Sequence, residues 1–476
     1  MPGFRESLRR TRHIVQQARC HAAFLLAALA LGATAATAAN VAPTPPMGWN
    51  SWDAYGFTIT EAQFKANAQL LARIKPHGWS YAVIDEGWYM GNPLGTDLKT
   101  RAYLLDRFGR LDPVLDRFPS ASDGNGLKAL STWTHAQGLK FGIHIIRGIP
   151  KQAVEANLPI QGSRFHAADA ADRSDTCPWD DGNYGIADNE AGQAYYDSLL
   201  RQYADWGVDF LKVDCIADHP YRPSEIAQIA RSIAKVGRPI VLSLSPGPTG
   251  IAHADEVKQW AQMWRIMDDL WDGWTFPHPD PKTTFPNGIR NAFDSLALWN
   301  PHVQAGRWPD ADMLPFGSLR PHAGWGDPRQ SRLTAAEART AFSLWSIARS
   351  PLILGGNLTE IDAPTQALLT NAGVIALNQQ DRESHPVASL PASLGEAKVW
   401  TSRRRGGPID TIALFNVSES PLAVDEAWSS LGLPNGALAA CDLWTGARLA
   451  SAPRVHLSVA PHDVALLRIG RAGACR

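Results

Sequence analysis

Cysteine is scarce in this chain, five among 476 residues, and one of them, Cys20, falls in an N-terminal stretch expected to be removed. The other four, Cys177, Cys215, Cys441 and Cys475, stand far apart along the sequence. That spacing argues against a structural zinc site, whose ligands come paired within short turns. Charge excess is missing too: the formal net charge is −1. So balanced a composition recommends neither nucleic acid nor an anionic membrane as a partner. Beyond the N-terminal stretch, no apolar run looks long enough to cross a bilayer. No Gly-x-Gly-x-x-Gly follows an early strand, which argues against a dinucleotide-binding open sheet. Internal repeats and low-complexity tracts are absent as well.

The N-terminal stretch reads as an export signal over residues 1–39. Arg5, Arg9, Arg10, Arg12 and Arg19 precede an apolar segment, Ala22 to Leu31, and Ala36-Thr37-Ala38 supplies small residues for cleavage. The Arg9-Arg10 pair leaves both the twin-arginine and the general route open. The expected location is secreted or periplasmic. Removal of residues 1–39 leaves 40 basic and 45 acidic residues, a net charge of −5. Four remaining cysteines in an exported chain suggest two disulfides.

What the chain has in quantity is apolar surface and tryptophan, 45% hydrophobic residues and 18 Trp. Flat aromatic faces suit sugar rings, although most tryptophans fill cores. Short apolar runs alternate with helical patterns from residue 40 to about 382. The runs are "MGWNSW", "YAVIDEGW", "LKFGIHII", "VDFLKVDC", "PIVLSLSP", "QMWRIMDD", "GRWPDADML" and "PLILGGN". Between them lie stretches such as "EAQFKANAQLLARIKPHG", with apolar residues at three- and four-residue spacing. Eight strand–helix units predict an α/β fold of the (β/α)₈ TIM barrel type. From residue 383 to 476 the texture changes to "AKVWTSRR", "DTIALFNVS", "LAACDLWTG" and "DVALLRIG", separated by turn residues. That predicts a C-terminal antiparallel β-sandwich.

The ends of the barrel strands are unusually acidic. They carry Asp85 and Glu86, Lys212 and Asp214, Arg265 with Asp268 and Asp269, and Asp310 and Asp312. In a barrel of this type such residues gather at one mouth. Alternation along a strand puts Lys212 with Asp214, Arg265 with Asp269, and Asp310 with Asp312 on shared faces. Trp52, at the end of the first run, offers a stacking floor. Carboxylates, a lysine, an arginine and an aromatic around one mouth suit a sugar. Taken singly, each carboxylate could instead cap a helix or pair at the surface. Taken together they point to a site, because buried charges need partners and cluster where chemistry is done.

These motifs, "TPPMGWNSW", "VIDEGW", "FLKVDC", "RIMDDLWDGW" and "WPDADML", resemble glycoside hydrolase family 27, the family of α-galactosidases and α-N-acetylgalactosaminidases. The likeness runs over nearly the whole mature chain. It implies a barrel plus a sandwich and a retaining mechanism with two aspartates, Asp214 as nucleophile and Asp269 as acid/base, without metal or organic cofactor. Sugar contacts implied by the resemblance are Trp52, Asp85, Lys212, Arg265, Asp312 and Met313. Cys215 matches a cysteine held in a disulfide near the family's pocket, with Cys177 the expected partner. Cys441 and Cys475 would then pair within the sandwich.

Three departures bear on the sugar. Glu86 stands where α-galactosidases have a second aspartate, and its extra methylene would intrude on a hydroxymethyl group. Ser245, in "SLSPG", stands where a glutamate contacts the 2-hydroxyl. His144 stands where a tyrosine is common, and with Arg147 it is either a pocket residue or a buried histidine beside a loop cation. The leading expectation is an α-galactosidase acting on terminal α-D-galactosyl units. The alternatives are a β-L-arabinopyranosidase, on the strength of Glu86, and an α-N-acetylgalactosaminidase, on that of Ser245. The expected partner is an oligosaccharide or polysaccharide with terminal galactosyl or arabinopyranosyl units. From another class, a catalytically silent glycan-binding protein would have lost a catalytic carboxylate, and both are present. The stretch around His278 reads as a proline-rich loop and not as a metal site. Asn357 and Asn416 lie in glycosylation sequons.

Overall fold

A computed structural model describes residues 41–94, 102–278, 285–320 and 327–470. The export-signal segment and Cys475, hence the Cys441–Cys475 pairing, lie outside the described residues.

Eight parallel strands form the central sheet: β1 (Met47–Asn50), β2 (Tyr81–Ile84), β3 (Lys140–Ile146), β4 (Phe210–Asp214), β5 (Val241–Leu244), β6 (Met263–Arg265), β7 (Trp308–Asp310) and β8 (Leu352–Leu354). Their spatial order is β7-β6-β5-β4-β3-β2-β1-β8. A parallel bridge between Leu314, just past β7, and Leu354 of β8 joins the two ends of the sheet. The strands lie within the eight apolar runs. Most of their residues are buried on both faces, as expected of parallel strands under a cover of helices.

Each strand is followed by at least one helix before the next, and local sequence explains where several begin and end. The helix after β1, α1 (Glu61–Ile74), opens on a capping box between Thr60 and Gln63 and buries Phe64, Ala68 and Leu71. The one before β4, α2 (Glu190–Trp206), starts at an Asn189 cap and ends on Gly207 in the left-handed region, φ 85°. Nine tryptophans are among the largest fully buried side chains, so core filling accounts for half of the 18.

The C-terminal region is a sandwich of a six-stranded antiparallel sheet and a two-stranded one, Leu422–Ala427 with Arg454–Val459. Strand Ile409–Phe415 shows why it needs both faces apolar. Ile412 and Leu414 enter the sandwich's own core with Val424 and Trp428. Ala413 and Phe415 face the other way and join the barrel core. A turn near the last strand grips the barrel. The His462 ring stacks on Trp274 at 4.1 Å, its Nδ1 lies 3.0 Å from Glu337, and its carbonyl accepts from Thr340 Oγ1 at 2.7 Å. Arg339 pairs with Asp463 beside it.

Both sequon asparagines are buried and engaged. Asn357 caps the Thr359 N–H, and Asn416 donates to the carbonyls of Ser420, Val459 and Ala460. Among the described residues, no helix is long and apolar enough to cross a membrane.

Candidate active site

The strand ends open on a pocket of about 460 Å³, lined by Trp52, Asp85, Glu86, Lys212, Asp214, Ser245, Arg265, Asp268, Asp269 and Met313. Ten residues from several loops and strands thus meet in one place, as the acidic strand ends implied. His144 and Asp312 are not part of the lining. His144 is buried beneath Asp214, and Asp312 is buried beneath Arg265.

The strand register positions Asp214 and its supports. His144 of β3 stands opposite Lys212 of β4, and Ile146 stands opposite Asp214. Asp214 Oδ1 accepts the Cys215 N–H at 2.6 Å, and Oδ2 lies 3.4 Å from His144 Nε2. Burial opposes ionisation of Asp214. The hydrogen bond and charge of His144, the Lys212 ammonium and the Cys215 N–H together outweigh it and hold the carboxyl below its ordinary range. Lys212 Nζ donates to Asp85 Oδ2 at 2.8 Å, which also accepts from Asn50 at 2.6 Å. Burial is the largest influence on each member of that pair and works against its charge. The attraction between them overrides it, so Asp85 lies below its ordinary range and Lys212 above it.

Opposite stands the arginine cluster. Strand β6 stops at Arg265, so a loop and not strand alternation carries Asp269 back toward it. Arg265 Nη2 donates to Asp269 at 2.9 Å and to the Met267 carbonyl at 3.0 Å, and Nη1 lies 2.9 Å from Asp312. Asp269 stays 29% exposed. Asp312 also follows a strand end and adopts φ 80°, a left-handed conformation that is costly for a non-glycine residue. The two ends of the Arg265–Asp312 pair pull apart. Arg265 is held charged, whereas Asp312 is pushed up to about 7, by burial first, and then by Asp269 and Asp310. One guanidinium shared among three carboxylates cannot keep them all ionised, which reconciles the two directions.

Cys215 takes φ 61° immediately after Asp214 and forms a disulfide with Cys177. Arg147 Nε donates to the Cys215 carbonyl at 2.6 Å, while Nη1 pairs with Asp175 and Glu225, both at 2.8 Å. Arg147 is therefore neither a pocket residue nor a loop cation but a buried brace behind the strand end. Trp52 is not in the first strand either. It begins a short helix, Trp52–Tyr55, and meets Phe57 edge to face at 5.0 Å.

Several residues at or near the site were not picked out from the sequence. Trp179, Asp180 and His219 line the pocket from loops. Asp180 adjoins Cys177 in "CPWDDG", so the disulfide was the available signal. Asp53 is fully buried near Asp312, Asp269, Lys212 and Asp85, and its carboxyl is driven well up, by burial foremost. A Cβ on Gly355 would lie 1.8 Å from Asp53 Oδ2, so the bare glycine makes room for it.

A pocket of this charge pattern, set at the strand ends of a (β/α)₈ barrel, defines a glycoside hydrolase. Residues 179–380 match the family described as Alpha galactosidase A, and residues 394–469 match the Alpha galactosidase C-terminal beta sandwich domain. The chain is 40% identical to a family 27 β-L-arabinopyranosidase from Geobacillus stearothermophilus, with a TM-score of 0.84 over 92% of this chain and 98% of that one. A Bacillus halodurans C-125 structure, provisionally named an α-N-acetylgalactosaminidase, is 36% identical with a TM-score of 0.76 over 90% and 97% of the two chains. The α-galactosidase of Oryza sativa subsp. japonica is 27% identical over 432 residues, 88% of this chain and 83% of that one. The chain belongs to glycoside hydrolase family 27, the melibiase family, and is a retaining glycosidase.

Proposed function

We propose that the enzyme is a β-L-arabinopyranosidase, which releases terminal β-L-arabinopyranosyl units, in preference to the α-galactosidase that most of the motifs suggest. The observation that carries this is Glu86, buried in the pocket lining. β-L-arabinopyranose is the galactose ring without its hydroxymethyl group, and Glu86 adds one methylene where that group would stand. The 40% identity to an arabinopyranosidase, against 27% to an α-galactosidase, supports the same reading.

In this reading Asp214 is the nucleophile. Its carboxylate attacks the anomeric carbon as the bond to the leaving oxygen breaks, and Asp269 gives that oxygen its proton. In the second half Asp269 takes a proton from water, which attacks the anomeric carbon and frees Asp214. Lys212 and His144 hold Asp214 ionised, and Arg265, held from below by Asp312, holds Asp269. Trp52 and Met313 bound the apolar side of the sugar, and Asp85 and Lys212 take its hydroxyls. Ser245 leaves space on the 2-hydroxyl side. The disulfide supports export to an oxidising compartment.

The test is a comparison of kcat/KM for p-nitrophenyl β-L-arabinopyranoside, α-D-galactopyranoside and α-N-acetylgalactosaminide. A clear preference for the pentoside is expected. A preference for either hexoside would overturn the assignment and leave the family mechanism standing.

A further inference from the structure

Glu86 and Asp180 are two buried carboxyl groups that both line the substrate pocket, and the charge of Asp180 acts on Glu86. Two carboxylates only accept, so a hydrogen bond between them requires one shared proton. The surroundings say which group carries it. Asp180 Oδ1 already accepts the Tyr103 hydroxyl at 2.7 Å and the Gly182 N–H at 3.0 Å, the arrangement of an ionised acceptor. Tyr103 can come so close only because residue 182 has no side chain. A Cβ there would lie 2.3 Å from the Tyr103 hydroxyl oxygen. The loop itself is fastened by Cys177, whose disulfide partner follows Asp214.

Among the described residues no side-chain or backbone donor to the Glu86 carboxyl is found, and its Oε1 is buried without a hydrogen-bond partner. Burial first, then the charge and hydrogen bond of Asp180, then Asp214 and Asp85, drive its carboxyl well above the ordinary range. Among the described residues, other titratable groups beside the pair include Tyr89, which follows β2, and Tyr103, which lies edge to face with Tyr89 at 5.0 Å. Lys212 is engaged with Asp85 and His144 with Asp214, so neither supplies Glu86 with a cation of its own.

We propose that Asp180 is a specificity-positioning residue: by sharing one proton with Glu86 it locks the Glu86 carboxyl across the end of the sugar pocket where a hydroxymethyl group would stand. This rests on the arabinopyranoside reading above. The lock does not touch the reacting atoms. It acts on which sugar fits.

The measurement is the ratio of kcat/KM for the p-nitrophenyl arabinopyranoside to that for the galactopyranoside, taken across pH. Both substrates use Asp214 and Asp269, so the titration of those two cancels in the ratio. In the unaltered enzyme the ratio is expected to fall toward alkaline pH, as the Glu86 proton is lost and two charged carboxylates push apart. Asp180→Ala releases Glu86 and is expected to lower the ratio about tenfold at neutral pH, near the low end of what one methylene can discriminate. Asp180→Asn replaces the shared proton with an amide donor and is expected to flatten the pH dependence. Tyr103→Phe, a milder change that keeps the packing, is expected to lower the ratio in the same direction. It carries the test if Asp180→Ala does not fold. A purely structural role for Asp180 would lower both kcat/KM values alike. An unchanged ratio in Asp180→Ala, or a full pH dependence in Asp180→Asn, would overturn the proposal. A wild-type preference for galactoside would instead overturn the substrate reading, and the effect of Asp180 on the ratio would still be measurable.

Discussion

Cys177 and Cys215 are bonded to each other, and between them they tie a pocket loop to the strand that presents Asp214. One side of the bond carries Asp180, three residues on, and the other follows directly from the carboxylate assigned as nucleophile. The crosslink thus fixes the residue proposed to position the sugar selector relative to the proposed nucleophile.

Breaking that link with Cys177→Ser is expected to cost about 3–4 kcal/mol of stability, from the loop entropy restored to the unfolded chain over a separation of 38 residues. Denaturant melts would check this. A loss below about 1 kcal/mol would mean that the braces on Arg147 and Tyr103 already hold the loop.

Asp214→Asn should abolish turnover, lowering kcat by at least about a thousandfold while the fold persists. The amide keeps the size and the Cys215 contact but cannot attack. Residual activity near wild type would remove Asp214 from the mechanism.

Glu86→Asp removes the methylene that closes the pocket. The arabinopyranoside-to-galactoside ratio should fall by about ten- to a hundredfold, the equivalent of roughly 1–3 kcal/mol. An unmoved ratio would show that the sugar is selected elsewhere.

The Asp85–Lys212 pair should appear in the pH dependence of stability. Asp85 is depressed in the fold, so its contribution is complete above the unfolded aspartate pKa of about 4 and is lost as pH falls below that. Lys212 is raised, so its contribution is complete below about 10.4 and is lost as pH climbs beyond. Lys212→Met leaves Asp85 buried without its cation and is expected to cost about 3–5 kcal/mol near neutrality. The gap to wild type should narrow in acid, where Asp85 can be neutral. Thermal melts at about pH 3, 7 and 9 would show whether it does.

How much of this was legible from the residues depends on where each element lies. The barrel strands announced themselves because parallel strands buried on both faces read as unbroken apolar runs, and "YAVI" in β2 is such a run. Half of the sandwich strands did not. "LAVDEA" and "RLASA" are mostly half-buried or exposed, so their composition resembles that of loops. The pocket residues at strand ends could be named because a barrel brings those ends together. Asp180 could not, because a loop delivers it 94 positions after Glu86. Arg147 read as either a pocket residue or a loop cation because nothing local reveals its partners, Asp175 and Glu225, 28 and 78 residues away. Asp53 sat unremarked beside Trp52. Its burial depends on Gly355, supplied from the far end of the barrel.

The stacking of His462 on Trp274 reaches beyond the joint between the two regions. Trp274 lies five residues after Asp269, the proposed proton donor, and one face of its ring is covered by His462 of the sandwich. The catalytic half is therefore not a separable unit. A chain shortened to the barrel alone would leave that indole uncovered, and the segment carrying Asp269 would lose the wall it leans on. Design on this scaffold has to carry both regions, and substitutions at His462 are expected to reach the segment that carries Asp269 through Trp274.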